Sequence, residues 1–183
     1  MQNNKVRLIT QSALIAAVYT VLTLALAPLS FGQMQVRVSE ALTLLCVFSP
    51  SAVIGVTLGC AISNAVGFFT GANILGAFDI VFGTLATLLA AVCSHLLRNV
   101  RVKGLAIPAA LPPVAFNALI IGGELMVLIS GGFNAPIFLI NALWVGLGEL
   151  VACLVLGVPL IYVLERSHLD RLFTGEAGRL LHG

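Results

Sequence analysis

Long apolar runs alternate with short polar joints along almost the whole chain. Six runs stand out: 8–27, 36–48, 52–69, 77–97, 105–129 and 137–164. About 20 apolar residues, wound as an α-helix, match the hydrocarbon thickness of a bilayer. The second run is the short one, because its continuous apolar part is only Ala41–Phe48. The first is too long for the apolar stretch of a signal peptide and reads as a span. The joints carry turn chemistry: Pro28 stops the first run, Ser49-Pro50-Ser51 makes a tight turn, and Gly71 and Gly76 loosen the third joint. Pro108, Pro112 and Pro113 predict either a kink in the fifth run or a helix that begins only near Pro113. Past Leu164 two readings fit. Leu169, Leu172 and Phe173 share a helical face, and Ser167 with Asp170 resembles a capping box, which suits a short interfacial helix ending before Gly175. A sixth helix that frays in water fits as well.

Charge turns the runs into a topology. Eight of nine Lys and Arg fall in three patches: Lys5 and Arg7; Arg98, Arg101 and Lys103; Arg166, Arg171 and Arg179. Basic residues concentrate on the cytoplasmic side of membranes. With all three patches inside, even numbers of spans must separate them, and six spans satisfy that parity. The expectation is an all-α integral membrane protein: one six-helix membrane domain over 1–183, both termini cytoplasmic, with 165–183 as a cytoplasmic tail. Composition agrees, at 60% hydrophobic and 9% charged with a mean hydropathy of +1.10. A soluble domain carries roughly 25% charged residues. The basic groups follow topology, so no nucleic-acid partner is expected.

The chemistry sits in what the membrane should exclude. Glu40, Asp79, Glu124 and Glu149 lie in or beside apolar runs, where charge is expensive. On this topology, at about 1.5 Å per residue, they gather towards the outer half with Arg37, Asn64 and Asn141, Glu149 lying deepest, near mid-membrane. Such a gathering fits a cavity open to the outside. Simpler roles compete: Arg37 and Glu40 could pair with each other at i, i+3, Asp79 could cap the fourth helix, and the asparagines could bind helix to helix. Phe78 and Trp144 could wall such a cavity, and lipid or helix packing would also use them. The four cysteines lack metal-ligand spacing, and no nucleotide or metalloprotease motif occurs, so no metal or cofactor is expected. Nothing marks a Ser/His or paired-Asp catalytic site, and the chain is not expected to be an enzyme. Ala13 and Ala17 in the first run have the small-xxx-small spacing that lets another helix approach.

Four stretches carry a resemblance: Gln35-Val-Arg-Val-Ser-Glu-Ala-Leu-Thr43; Phe78-Asp-Ile-Val-Phe-Gly, running on to Ala91; Leu111-Pro-Pro-Val114 with Asn117 to Leu125; and Val145-Gly-Leu-Gly-Glu149 with Val155 to Pro159. Through them the chain resembles the S components of energy-coupling-factor (ECF) transporters, and more narrowly the QueT family of queuosine precursor transporters. The resemblance implies the S-component fold of six helices, a ligand pocket in the outer half and no ATPase of its own. It implies a small-molecule substrate, a 7-deazaguanine such as queuine or a pre-queuosine base. It also implies a coupling membrane subunit and two ABC ATPases as partners, Ala13 and Ala17 touching the coupling subunit, and a bacterial plasma membrane. Toppling in the membrane follows from the resemblance alone. The base edge of a 7-deazaguanine presents parallel N–H donors that fit one carboxylate, and Glu124 is the first choice, with Asp79, Glu40 and Glu149 available to an aminomethyl cation. The alternatives are an S component for another micronutrient, or a stand-alone carrier or channel.

Overall fold

A computed structural model of the chain describes residues 2–32 and 35–174. Positions 1, 33 and 34, and the tail from 175 with Arg179, lie outside the described residues. Everything described is helical apart from turns and an isolated bridge, Val102 to Leu105.

α1 (Gln2–Ala25) and α3 (Pro50–Phe69) run parallel. Ser12 meets Ser51, Ile15 meets Gly55 and Tyr19 meets Gly59, so contacts advance in the same direction along both. The close approach needs glycine: a Cβ at Gly59 would fall 2.7 Å from Tyr19 Cβ. Parallel neighbours force the chain between them to return the full height of the bundle. The short α2 (Ala27–Ser30) turns the chain, and a 3-10 helix, Val38–Val47, makes the return. A 3-10 helix rises about 2.0 Å per residue against about 1.5 Å in an α-helix. The tighter winding stretches a run too short for an α-helical span towards the height of its neighbours. It lies in the middle of the bundle, with Glu40, Leu44, Leu45, Cys46 and Val47 buried.

The remaining passes alternate. α4 (Phe78–Leu96) is antiparallel to α3, since Asn64 meets Asp79 and Cys60 meets Thr87. α5 (Leu111–Ser130) follows a 3-10 turn, Ile107–Ala110, and takes Pro112 and Pro113 into its first turn, where proline is tolerated. Of the two sequence expectations, the late helix start is the one adopted. Gly131 closes α5 with φ +66. α6 (Ala135–Leu150) returns against α5, with Gly122 seated on Ala142. It continues through a π-helical segment, Val151–Gly157, into α7 (Val158–Arg166). Pro159 explains the wider winding, because its ring excludes the carbonyl four residues back and it offers no N–H.

Among the described residues, five helical stretches are long and apolar enough to cross a membrane: Lys5–Ala25, Pro50–Phe69, Phe78–Leu96, Ile107–Ser130 and Ala135–Arg166. The 3-10 helix Val38–Val47 is apolar but shorter. Leu14, Val18, Val21, Leu58, Ile62, Leu143 and Leu147 stay exposed, as lipid-facing side chains do. The described basic patches meet at one end of the bundle. Arg101 pairs there with Glu165 at 2.7 Å, and Arg7 Nη2 donates to the Leu172 carbonyl at 2.7 Å. A short helix does follow α7: α8 (Arg171–Thr174), with Phe173 stacked on Phe48 at 5.9 Å. Ser167 does not cap it, because its hydroxyl donates back to Val163 O at 2.6 Å.

Candidate functional site

Polar side chains gather towards the end opposite the basic patches. Arg37 enters from the start of the 3-10 helix and Asp79 from the first turn of α4. Their ion pair spans 3.2 Å, with side chains 3% and 0% exposed. Phe31 lies beneath the guanidinium, 5.7 Å from its carbon. Asn73 Nδ2 donates to Asp79 Oδ2 at 2.8 Å, which ties down the loop between α3 and α4, and Asn64 Nδ2 donates to the Asp79 carbonyl at 2.7 Å. The network continues inward through sulfur. Cys60 Sγ accepts from Arg37 and Asn64, each at 3.5 Å, and lies 3.3 Å from the Thr87 hydroxyl oxygen. Thr87 also donates to Glu40 Oε1 at 2.9 Å, and the Tyr19 hydroxyl donates to the same oxygen. The Cys153 thiol joins the next acid, within 3.7 Å of the Glu40 carbonyl and 3.8 Å of Glu149 Oε2.

Not every polar atom in this region is used. Glu40 Oε2, Asn64 Oδ1, Asn141 Oδ1, Gln35 Nε2 and both Glu124 carboxyl oxygens are buried without a hydrogen-bond partner. Buried polar atoms are nearly always paired, so each such atom needs a reason. They come from the first loop, the 3-10 helix, α3, α5 and α6, which is what a shared ligand site would require. Glu124, alone of these, borders a cavity of about 730 Å³ between α4 and α5. Leu75 of the loop lines it together with Phe78, Phe82, Gly123 and Leu128, and Glu124 is its one charged residue.

The structure sorts the sequence candidates. Arg37, Asp79, Asn64 and Glu40 form one network, with Glu149 at its inner end. Arg37 pairs with Asp79 rather than with Glu40. Asp79 is not a cap, since α4 begins on Ala77 without a side-chain cap bond. Glu124 and Phe78 line the same cavity, and Glu124 is close enough to interact electrostatically with Asp79 and Arg37. Asn141 is buried and donates to Ile137 O at 2.9 Å in its own helix. Trp144 does not line that cavity; it lies exposed on α6 with Leu143 and Leu147. Ala13 and Ala17 lie exposed on α1, away from the site. Sequence reasoning missed Tyr19, Thr87 and Cys60. A phenol and a hydroxyl in the middle of apolar runs were the available signal, since each must find a partner there.

Residues 9–166 match the family described as QueT transporter. The chain belongs to that family. QueT-family members are transporters, and with its apolar helices this chain is a multi-pass cell-membrane protein. A relative in Lactococcus lactis subsp. cremoris (strain MG1363), "Queuosine precursor transporter QueT", is 38% identical over 90 residues, covering 48% of this chain and 49% of the relative. The chain thus spans about half the length of the curated relative it matches. No solved structure matches it.

Proposed function

We propose that this chain captures a queuosine precursor, a 7-deazaguanine base, and passes it to an ATP-driven importer as the S component of an ECF-type system. The observation that carries the reading is Glu124: both its carboxyl oxygens are unpaired, beside an apolar cavity, in a chain of the QueT transporter family. A carboxylate accepts two parallel N–H donors in a fork, and charge-assisted bonds of that kind are the strong ones. The exocyclic amine and ring N–H of a deazaguanine make that pair of donors. Phe78 and Phe82 offer ring faces to a flat base, and the volume lies within the ordinary range for small-ligand pockets. Glu40, with one unpaired oxygen, and Glu149 stand ready for an aminomethyl cation where the precursor has one. Asp79, Arg37 and Asn64 brace the site.

The basic end is taken as cytoplasmic and the polar end as facing outward. No nucleotide motif occurs in the sequence, so ATP hydrolysis falls to partner ATPases joined through a coupling membrane subunit. The bare face at Ala13 and Ala17 suits close docking of a partner helix.

Two measurements test this. Purified protein should be stabilised against heat by queuine or pre-queuosine bases and not by vitamins, because a ligand stabilises the state that binds it. Stabilisation by some other micronutrient alone would refute the substrate. Uptake into vesicles should require the coupling subunit and ATPases; uptake by this chain alone would refute the S-component role and favour a self-sufficient carrier.

A further inference from the structure

The ion pair of Arg37 with Asp79 depends on a glycine. Gly83 lies one turn beyond Asp79 on α4, and a Cβ there would fall 2.0 Å from Asp79 Oδ1, 3.0 Å from Asp79 Cγ and 2.8 Å from Asn64 Nδ2. The carboxyl group therefore rests on bare helix surface. A second glycine acts on the other side of the cation: a Cβ at Gly67 would fall 2.7 Å from the Phe31 ring, which lies under the guanidinium. Arg37 is thus held between two groups that each occupy the place of a missing side chain.

The consequence is electrostatic. Arg37 is the one buried cation among the described residues, and it interacts with Asp79, Glu40, Glu124 and Glu149. The acid that takes it gives up an oxygen to it: Asp79 Oδ2 pairs with Arg37, while Oδ1 is left unpaired against Gly83. Glu40 is the ready competitor, three residues away in the chain and on the helix that Arg37 leads into. Glu40 nonetheless keeps Oε2 unpaired, and Glu124 keeps both oxygens.

We propose that Gly83 is a positioning residue that assigns Arg37 to Asp79 and so leaves Glu40 and Glu124 free to accept from the substrate. A side chain at 83 displaces the Asp79 carboxyl, and Arg37 then turns to an acid the substrate needs. The binding part of this inference rests on the substrate reading above; the pairing part does not.

Asp79 and Asp170 are the only aspartates in the chain, so carboxyl-13C aspartate gives two signals, and Asp170→Asn tells them apart. Without ligand, Gly83→Ala should move the Asp79 signal in the same direction as Arg37→Gln. With a 7-deazaguanine titrated in, Gly83→Ala should weaken binding by about tenfold or more. In an Asp79→Ala, Asn64→Ala background, which removes both groups that a Cβ at 83 would meet, adding Gly83→Ala should change affinity by less than about twofold, since coupled sites are not additive. An unmoved Asp79 signal overturns the proposal, as does a full further loss in that background. If Gly83→Ala alone does not fold, the same background carries the test: a Cβ must be tolerated once both neighbours are gone, and failure to fold there overturns the proposal too. If the parent binds no deazaguanine, the substrate reading fails while the Asp79 signal still decides the pairing.

Discussion

Glu124→Gln isolates the group proposed to read the base. The substitution keeps shape and removes one acceptor, replacing it with an N–H₂ that faces a donor. A hydrogen bond to a charged group contributes about 1.5–3 kcal/mol. One bond of the fork survives and the other becomes a donor–donor contact, so the loss is about one such bond plus an unpaired donor. Glu124 is only half-buried, which favours the lower part of the range. The expectation is a loss of about 2–3 kcal/mol, or roughly 30- to 150-fold in Kd. Isothermal titration of the purified protein with queuine measures it. A 7-deaza base lacking the exocyclic amine supplies the control. In the parent it should bind more weakly than queuine, and in Glu124→Gln that difference should shrink. The empty variant should melt no lower than the parent, because a neutral amide is cheaper than a carboxylate in apolar surroundings. Equal affinity of parent and variant for queuine refutes the assignment, as does an equal loss for both bases.

Three further outcomes follow from the packing. Arg37→Met leaves Asp79 buried without its cation and should cost about 3–5 kcal/mol, whereas Arg37→Met with Asp79→Leu should recover most of that loss in denaturant unfolding. Gly59→Val places carbon into the 2.7 Å approach to Tyr19 and should destabilise the α1–α3 contact by about 1–3 kcal/mol, read as a lower melting temperature. Trp144→Ala should leave substrate affinity within about twofold, as expected of a surface substitution far from the site; a larger loss would return the tryptophan to the binding site.

The apolar runs were legible because their signal is local: every residue of a span must suit hydrocarbon, whatever its neighbours do. The positions of the basic patches were legible for the same reason, and the structure brings the described ones to one end. The polar residues also marked themselves, since Arg37, Asp79 and Glu40 have no cheap place in lipid. The second run was the exception. Its composition matches a span and its length does not, and the 3-10 winding that reconciles them follows from α1 and α3 lying parallel, a contact between residues some 40 positions apart.

Partner choice was not legible. Arg37 had Glu40 three residues away in sequence and took Asp79 instead, because Gly83 leaves room for that carboxyl on the neighbouring helix. Trp144 and Phe78 read alike as aromatic candidates and both stay exposed, yet only Phe78 lines the cavity beside Glu124. A soluble helix shows its buried face by polarity. In a membrane, lipid and protein core are both apolar, so the sequence carries the depth of each residue and hides its direction around the helix axis. Depth came from the chain alone; direction, and with it every pairing at the site, came only from how the helices pack.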